Sequence, residues 1–155
     1  MGHGSYSEEP VIILVAEDEA IVALMLAMTL DLAGHKVVGP VASVEEGLEL
    51  AEATRPELAL VDIRLSGVRD GVCLARSLRD RWGVPSLFIS GQTTQARAAR
   101  DAALGVLGKP YDPGEVIEAV ATVGELLAGR WPERCPQRLE LFCARGDERR
   151  PPSFP

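Results

Sequence analysis

Val11-Ile12-Ile13-Leu14-Val15 runs unbroken into Ala16-Glu17-Asp18-Glu19, and the fold is decided there. An apolar, β-branched run with no polar residue at alternate positions predicts a strand buried on both faces, as in the middle of a parallel sheet. The acids that follow mark where that strand reaches water. From Ala20 to Ala33 the apolar residues Ile21, Leu24, Met25, Met28 and Leu32 fall at helical spacing, and Gly34 is placed to end the helix. Met25 and Met28 are expected as core filler, and His35 as an exposed loop residue.

Outward from this unit the same cycle repeats. Val37-Val38 predicts a short strand, and Ser43-Val44-Glu45-Glu46 a capping-box start for a helix running to about Thr54. After Arg55-Pro56 breaks that helix, Leu58-Ala59-Leu60-Val61 predicts a third strand, ending at Asp62. Asp70-Gly71 leads into a helix with Val72, Leu74, Ala75 and Leu78 inward, and residues 85–89 read as a fourth strand ending at Ser90-Gly91. An Ala- and Arg-rich helix follows, then a short strand at Val106-Leu107, closed by Lys109-Pro110. Asp112, Pro113 and Glu115 supply cap, first-turn proline and capping-box partner for the last helix. Strands alternating with helices in this way predict a doubly wound α/β fold: a five-stranded parallel sheet flanked by five helices. Residues 1–10 are polar and set aside as a leader, 11–128 form the domain, and 129–155 read as an irregular or disordered tail with room for a short helix around 139–144.

Composition narrows the function classes. The chain has 155 residues, 46% of them hydrophobic, enough for one well-buried core and too few for two ordinary domains. Net charge is −7; residues 129–155 hold six Arg against four acids, which leaves −9 on residues 1–128. So acidic a domain has no general attraction for nucleic acid or an anionic membrane surface. Cys73, Cys135 and Cys143 have neither CxxC spacing nor a nearby histidine pair, which argues against zinc and fits a reducing, cytoplasmic setting. No apolar run approaches the roughly 20 residues of a membrane-spanning helix.

In a parallel sheet the carboxyl ends of the strands share one rim, where ligand chemistry belongs. That rim collects Glu17 and Asp18, Asp62, Ser90 and Lys109. Three carboxylates so placed repel one another unless a cation sits among them, and an all-oxygen ligand set favours Mg²⁺. Each residue alone has an ordinary reading. Asp62 could be a turn residue, Glu17 and Asp18 an acidic pair favoured at a helix N-terminus, Ser90 a turn serine and Lys109 a solvated lysine. Four strands ending in matching polar residues is what those separate readings leave unexplained.

The passages "ILVAEDE", "LALVDIRLSG", "LFISG" and "LGKPYD" occur in this order on the predicted elements, and together they resemble the bacterial receiver domain of two-component response regulators over residues 11–128. The segment "GHKVVGPVASVEEGLELA" is similar to stand-alone regulators of the alphaproteobacterial type. The resemblance implies a flavodoxin-like strand order 2-1-3-4-5. It implies phosphorelay signalling, with a phosphoryl group received on Asp62 from a sensor histidine kinase or phosphotransfer protein. Asp18 is then a direct Mg²⁺ ligand and Glu17 a ligand through water; Asp62 and the main-chain carbonyl of Arg64 complete the metal set. Ser90 is implied to hydrogen-bond the transferred group, Lys109 to neutralise it, and the Lys109–Pro110 bond to be cis. Output then passes by protein contact to a partner the sequence does not identify, and homodimerisation is left open. Such a chain is a phosphoacceptor rather than a turnover enzyme.

The chain departs from the family pattern in two places. Receivers commonly carry Tyr or Phe three residues before the lysine, where this sequence has Val106. The stretch from Ser90 to Lys109 is also about three residues shorter than is usual in the family, which places the shortening in the fourth helix or its exit loop. Arg64 and Gln92, two residues beyond Asp62 and Ser90, are positioned to tune loss of the phosphoryl group. Two other readings stand beside this one. The first is a protein-interaction module indifferent to phosphorylation. The second is a Mg²⁺-dependent phosphatase, disfavoured because a second aspartate would be expected where Arg64 stands.

Overall fold

A computed structural model gives the fold of residues 10–142. The leader up to residue 9, Cys143 and the Arg-Arg-Pro-Pro run of the tail lie outside the described residues.

The order of elements is β1 (Ile12–Ala16), α1 (Ala20–Leu32), β2 (Lys36–Val41), α2 (Val44–Thr54), β3 (Leu58–Asp62), α3 (Gly71–Trp82), β4 (Ser86–Ser90), α4 (Thr93–Ala98), β5 (Gly105–Gly108), α5 (Pro113–Leu127) and β6 (Leu139–Leu141). Spatial order is β2-β1-β3-β4-β5-β6, with the first five strands parallel, as expected, and β6 added antiparallel to β5. The sixth strand corrects the expectation for the tail: residues 139–141 are neither irregular nor helical. Leu139, Glu140 and Leu141 alternate apolar and acidic, the period of a strand with one face inward, and they pair with Leu107, Val106 and Gly105.

Alternation along the buried strands sorts the core into two layers. Leu14, Ala16, Ala59, Val61, Phe88 and Val106 pack with residues of α2, α3 and α4. Ile13, Val15, Leu58, Leu60, Leu87, Ile89 and Leu107 pack with residues of α1 and α5. β3 and β4 are buried at every position, which is why their sequences show no polar alternation.

The predicted helix ends hold. Ser43 Oγ accepts the Glu46 N–H at 3.2 Å, while the Glu46 carboxylate reaches back to the Ala42 N–H at 2.9 Å. Asp70 Oδ1 accepts from the Cys73 N–H, and the Glu115 carboxylate accepts from the Asp112 N–H. Gly34 sits at φ +98° just past α1.

Two residue-level expectations are corrected. Met25 and Met28 are 57% and 53% exposed, and Ile21, Leu24 and Leu32 lie on the surface with them; the inward face of α1 is Ala23, Leu26 and Leu30. His35 is half-buried, and its Nδ1 accepts the Val11 N–H at 3.1 Å, tying the loop to the start of β1. That burial holds the imidazole below its ordinary pKa.

Candidate functional site

Register places the reactive side chains. Ala16 is level with Val61, Asp62 with Ile89, and Ser90 with Gly108, so Glu17, Asp62, Ser90 and Lys109 all emerge at one sheet edge. The Lys109 N–H donates to the Ser90 carbonyl at 2.9 Å, locking the ends of β4 and β5 together. Beneath the rim, Gly71 opens α3 against the backbone of β3; a Cβ there would collide with the Asp62 carbonyl oxygen and the Ile63 Cα. Gly71 therefore lets α3 pack close under the acidic strand end. Sequence reading missed this role, although its position directly after the capping Asp70 was the available signal.

Every predicted site residue lies at this rim. Glu17, Asp62 and Ser90 are almost fully buried, whereas Asp18 and Arg64 are exposed and, with Ser90 and Lys109, line an open cleft of about 550 Å³ over Asp62. The Lys109 Nζ lies 2.6 Å from Asp62 Oδ2 and 3.1 Å from Glu17 Oε1. Asp62 Oδ1 accepts the Arg64 N–H at 2.9 Å, and Glu17 Oε2 accepts the Glu19 N–H at 3.0 Å. Ser90 Oγ accepts the Gln92 N–H at 2.9 Å and makes a longer 3.3 Å contact to the Gln92 carbonyl.

Electrostatics follow from this crowding. Burial, reinforced by the hydrogen bond and charge of Asp62, pushes the Glu17 carboxyl up to about 7 against the opposing pull of the Glu19 N–H and Lys109. Burial alone would draw the Lys109 ammonium down, but its bonds and charge interactions with Asp62 and Glu17 outweigh burial and hold it above its ordinary value. The cation that relieves carboxylate repulsion here is thus, in the first instance, Lys109 itself.

Among the described residues no three acidic, histidine or cysteine side chains close on a single point. That still suits Mg²⁺, which takes one or two carboxylates and fills its octahedron with water and phosphate oxygens. Asp18 and Asp62 face the same cleft, and all the acidic donors are oxygens. The donor set fits the ion.

The two departures from the family pattern take structural form. α4 has six residues, followed by a single 3₁₀ turn at Arg100–Ala102. Val106 is completely buried, paired with Phe88 of β4 on one side and Glu140 of β6 on the other. The Lys109–Pro110 bond is cis, and so is Gly39–Pro40.

Comparison with known proteins agrees with this geometry. The model of the response regulator receiver domain matches residues 13–121. The transcriptional regulatory protein PdtaR of Mycobacterium tuberculosis is 32% identical over 124 residues, covering 78% of this chain and 58% of PdtaR. The phyllosphere-induced regulator PhyR of Methylorubrum extorquens is 29% identical over 111 residues, 70% of this chain and 42% of PhyR. The chain therefore spans about half the length of these curated relatives. Among solved structures, a putative response regulator from Chloroflexus aurantiacus superimposes with a TM-score of 0.66 at 30% identity, covering 72% of this chain and 95% of that one. The signal receiver domain of a modulated diguanylate cyclase from Desulfovibrio desulfuricans gives 0.64 at 32% identity, covering 76% and 97%.

Proposed function

This chain belongs to the response regulator receiver domain family, and on that premise we propose that it accepts a phosphoryl group on Asp62 in a phosphorelay and signals by protein contact. The observation that carries the reading is the Asp62 carboxylate, buried to 6% exposure at the floor of an open cleft and held by the Lys109 ammonium and the Arg64 N–H.

Transfer to a carboxylate needs little proton chemistry; it needs in-line positioning and neutralisation of the phosphoryl oxygens. An Asp62 oxygen forms the new O–P bond as the P–N bond to a donor imidazole breaks. The Arg64 N–H and Lys109 orient the attacking carboxylate. As negative charge builds on the transferred group, Lys109 is already within bonding reach of the acceptor. The Ser90 hydroxyl, whose proton is committed only to the long contact with Gln92, turns to donate to a phosphoryl oxygen and keeps accepting the Gln92 N–H. Mg²⁺, which receiver domains bind at the phosphorylation site, would be held by Asp18, Asp62, the Arg64 carbonyl and, through water, Glu17, and would supply charge neutralisation to the same oxygens. The phosphoryl donor is a sensor histidine kinase or a phosphotransfer protein.

One observation favours a second reading, a protein-interaction module indifferent to phosphorylation: Val106 and the covering β6 stand where receivers commonly place an aromatic residue. Incubation with acetyl phosphate and Mg²⁺, followed by a phosphate-affinity gel, separates the two. The phosphoacceptor reading expects a retarded band that disappears in Asp62→Asn; no retarded band supports the second reading.

A further inference from the structure

β6 is an odd addition to a parallel sheet, and its contacts are specific. Its backbone closes the free edge of β5: the Gly108 N–H donates to the Arg138 carbonyl at 2.9 Å, and the Phe142 N–H donates to the Leu104 carbonyl at 3.0 Å. Gly105 makes room for it, since a Cβ there would collide with the Glu140 carbonyl oxygen. On one face of β6, Leu139 and Leu141 pack into the α1–α5 layer of the core. On the other face, Phe142 packs into the opposite layer and Glu140 is gripped by α4, with Arg97 Nε 2.9 Å from both carboxylate oxygens. Arg100 donates to the Phe142 carbonyl at 3.0 Å.

This hold is short and partly wet. Three residues are paired, and the Arg97 and Glu140 side chains are 54% and 41% exposed. Without β6, the β5 edge would present unpaired N–H and C=O groups beside two arginines, with apolar ground on either side. Such an edge is a template for strand addition. The elements that shape it also lead from the acidic rim: α4 starts just after Ser90 and Gly91, and β5 runs directly into Lys109.

We propose that the β5 edge is a partner-binding surface for an extended apolar segment of another protein that carries one carboxylate, with β6 as its resident intramolecular competitor. The segment it fits has the pattern of Leu139-Glu140-Leu141-Phe142: apolar residues entering both core layers, and one carboxylate for Arg97. Charge complementarity with Arg97, beside Arg100, selects a carboxylate at the Glu140 position over a basic side chain. Strand addition at this edge is independent of the chemistry of Asp62, and the unphosphorylated 155-residue chain serves for the test.

The test is hydrogen exchange read by NMR, with an acetylated hexapeptide copying residues 137–142 as probe. Glu140→Arg sets like charges together and is expected to speed exchange of the Gly108 amide about tenfold, while the interior Ala59 amide, which donates to the Pro85 carbonyl, stays protected. Adding the peptide should restore Gly108 protection in this variant and leave wild type unchanged. The peptide with lysine in place of its glutamate should bind about tenfold more weakly. Gly105→Ala should also expose Gly108 yet refuse the peptide, because the new methyl group blocks any strand there. The proposal is overturned if Gly108 stays protected in both variants, if the peptide fails to re-protect it in Glu140→Arg, or if Gly105→Ala takes the peptide equally well. Loss of Ala59 protection in Glu140→Arg also overturns it, since β6 would then belong to the folding core instead of being displaceable.

Discussion

Lys109 lies between two almost fully buried carboxylates, 2.6 Å from Asp62 and 3.1 Å from Glu17, and removing it leaves both without their cation. Lys109→Met is therefore expected to cost about 2–4 kcal/mol at pH 8. The cost should be smaller at pH 5, where Glu17, with its carboxyl at about 7 when folded, already carries a proton. Urea unfolding at the two pH values checks this, and an equal loss at both would contradict it. The same shift fixes a sign for the wild type. The folded chain binds the Glu17 proton more tightly than the unfolded chain between about 4.5 and 7, so the stability this group contributes is lost as pH rises through that window. If Glu17 helps hold Mg²⁺ as proposed, the ion competes with that proton, and its affinity should climb from pH 6 to pH 8, by up to about tenfold per unit below pH 7. Glu17→Gln should flatten the climb in a Mg²⁺ titration followed by amide shifts. Arg64 projects, exposed, into the cleft over Asp62. If it screens an acyl phosphate from water, Arg64→Ala should shorten the acyl-phosphate half-life on the order of several-fold; an unchanged half-life rejects the screening role. At this scale the sequence revealed which residues would meet, because parallel strands deliver their ends to one edge. It could not reveal that Lys109 bridges Glu17 and Asp62, since that depends on side-chain reach across three strands.

Among the elements, α1 and β6 show where pattern reading loses its phase. α1 carries one charged residue, Asp31, in 13, so no polar face tells which apolar stripe points inward. The stripe Ile21, Leu24, Met25, Met28 and Leu32 has helical spacing, but so do Ala23, Leu26 and Leu30, and the smaller set is the buried one. Leu30→Ala should accordingly cost about 2–5 kcal/mol, whereas Met28→Lys should change stability by less than about 0.5 kcal/mol. Chemical denaturation of the two variants checks this, and the reverse order would return Met28 to the core. β6 was illegible for a different reason. Three residues of alternation after Cys135-Pro136 are too few to separate a strand from a helical turn, and a long-range partner decided the matter. The long buried strands and capped helices, by contrast, were legible because each satisfies its own backbone and hydrophobic requirements locally.

For the molecule as a whole, the matched family model covers residues 13–121, and the described chain adds one strand beyond it that seals the sheet edge. On the proposed reading, the C-terminal rim and the lateral edge of one sheet would serve different tasks. The rim at Asp62 gathers charge, and the β5 edge gathers hydrogen bonds and arginines. Acyl-phosphate trapping tests phosphoryl acceptance at Asp62. The 155-residue chain is incubated with acetyl phosphate and Mg²⁺, reduced with borohydride, and digested for mass spectrometry. Reduction converts a phosphorylated aspartate to homoserine, so homoserine is expected at position 62, with no conversion without Mg²⁺. Homoserine at another position, or an unmodified Asp62 in protein that binds Mg²⁺, would contradict it.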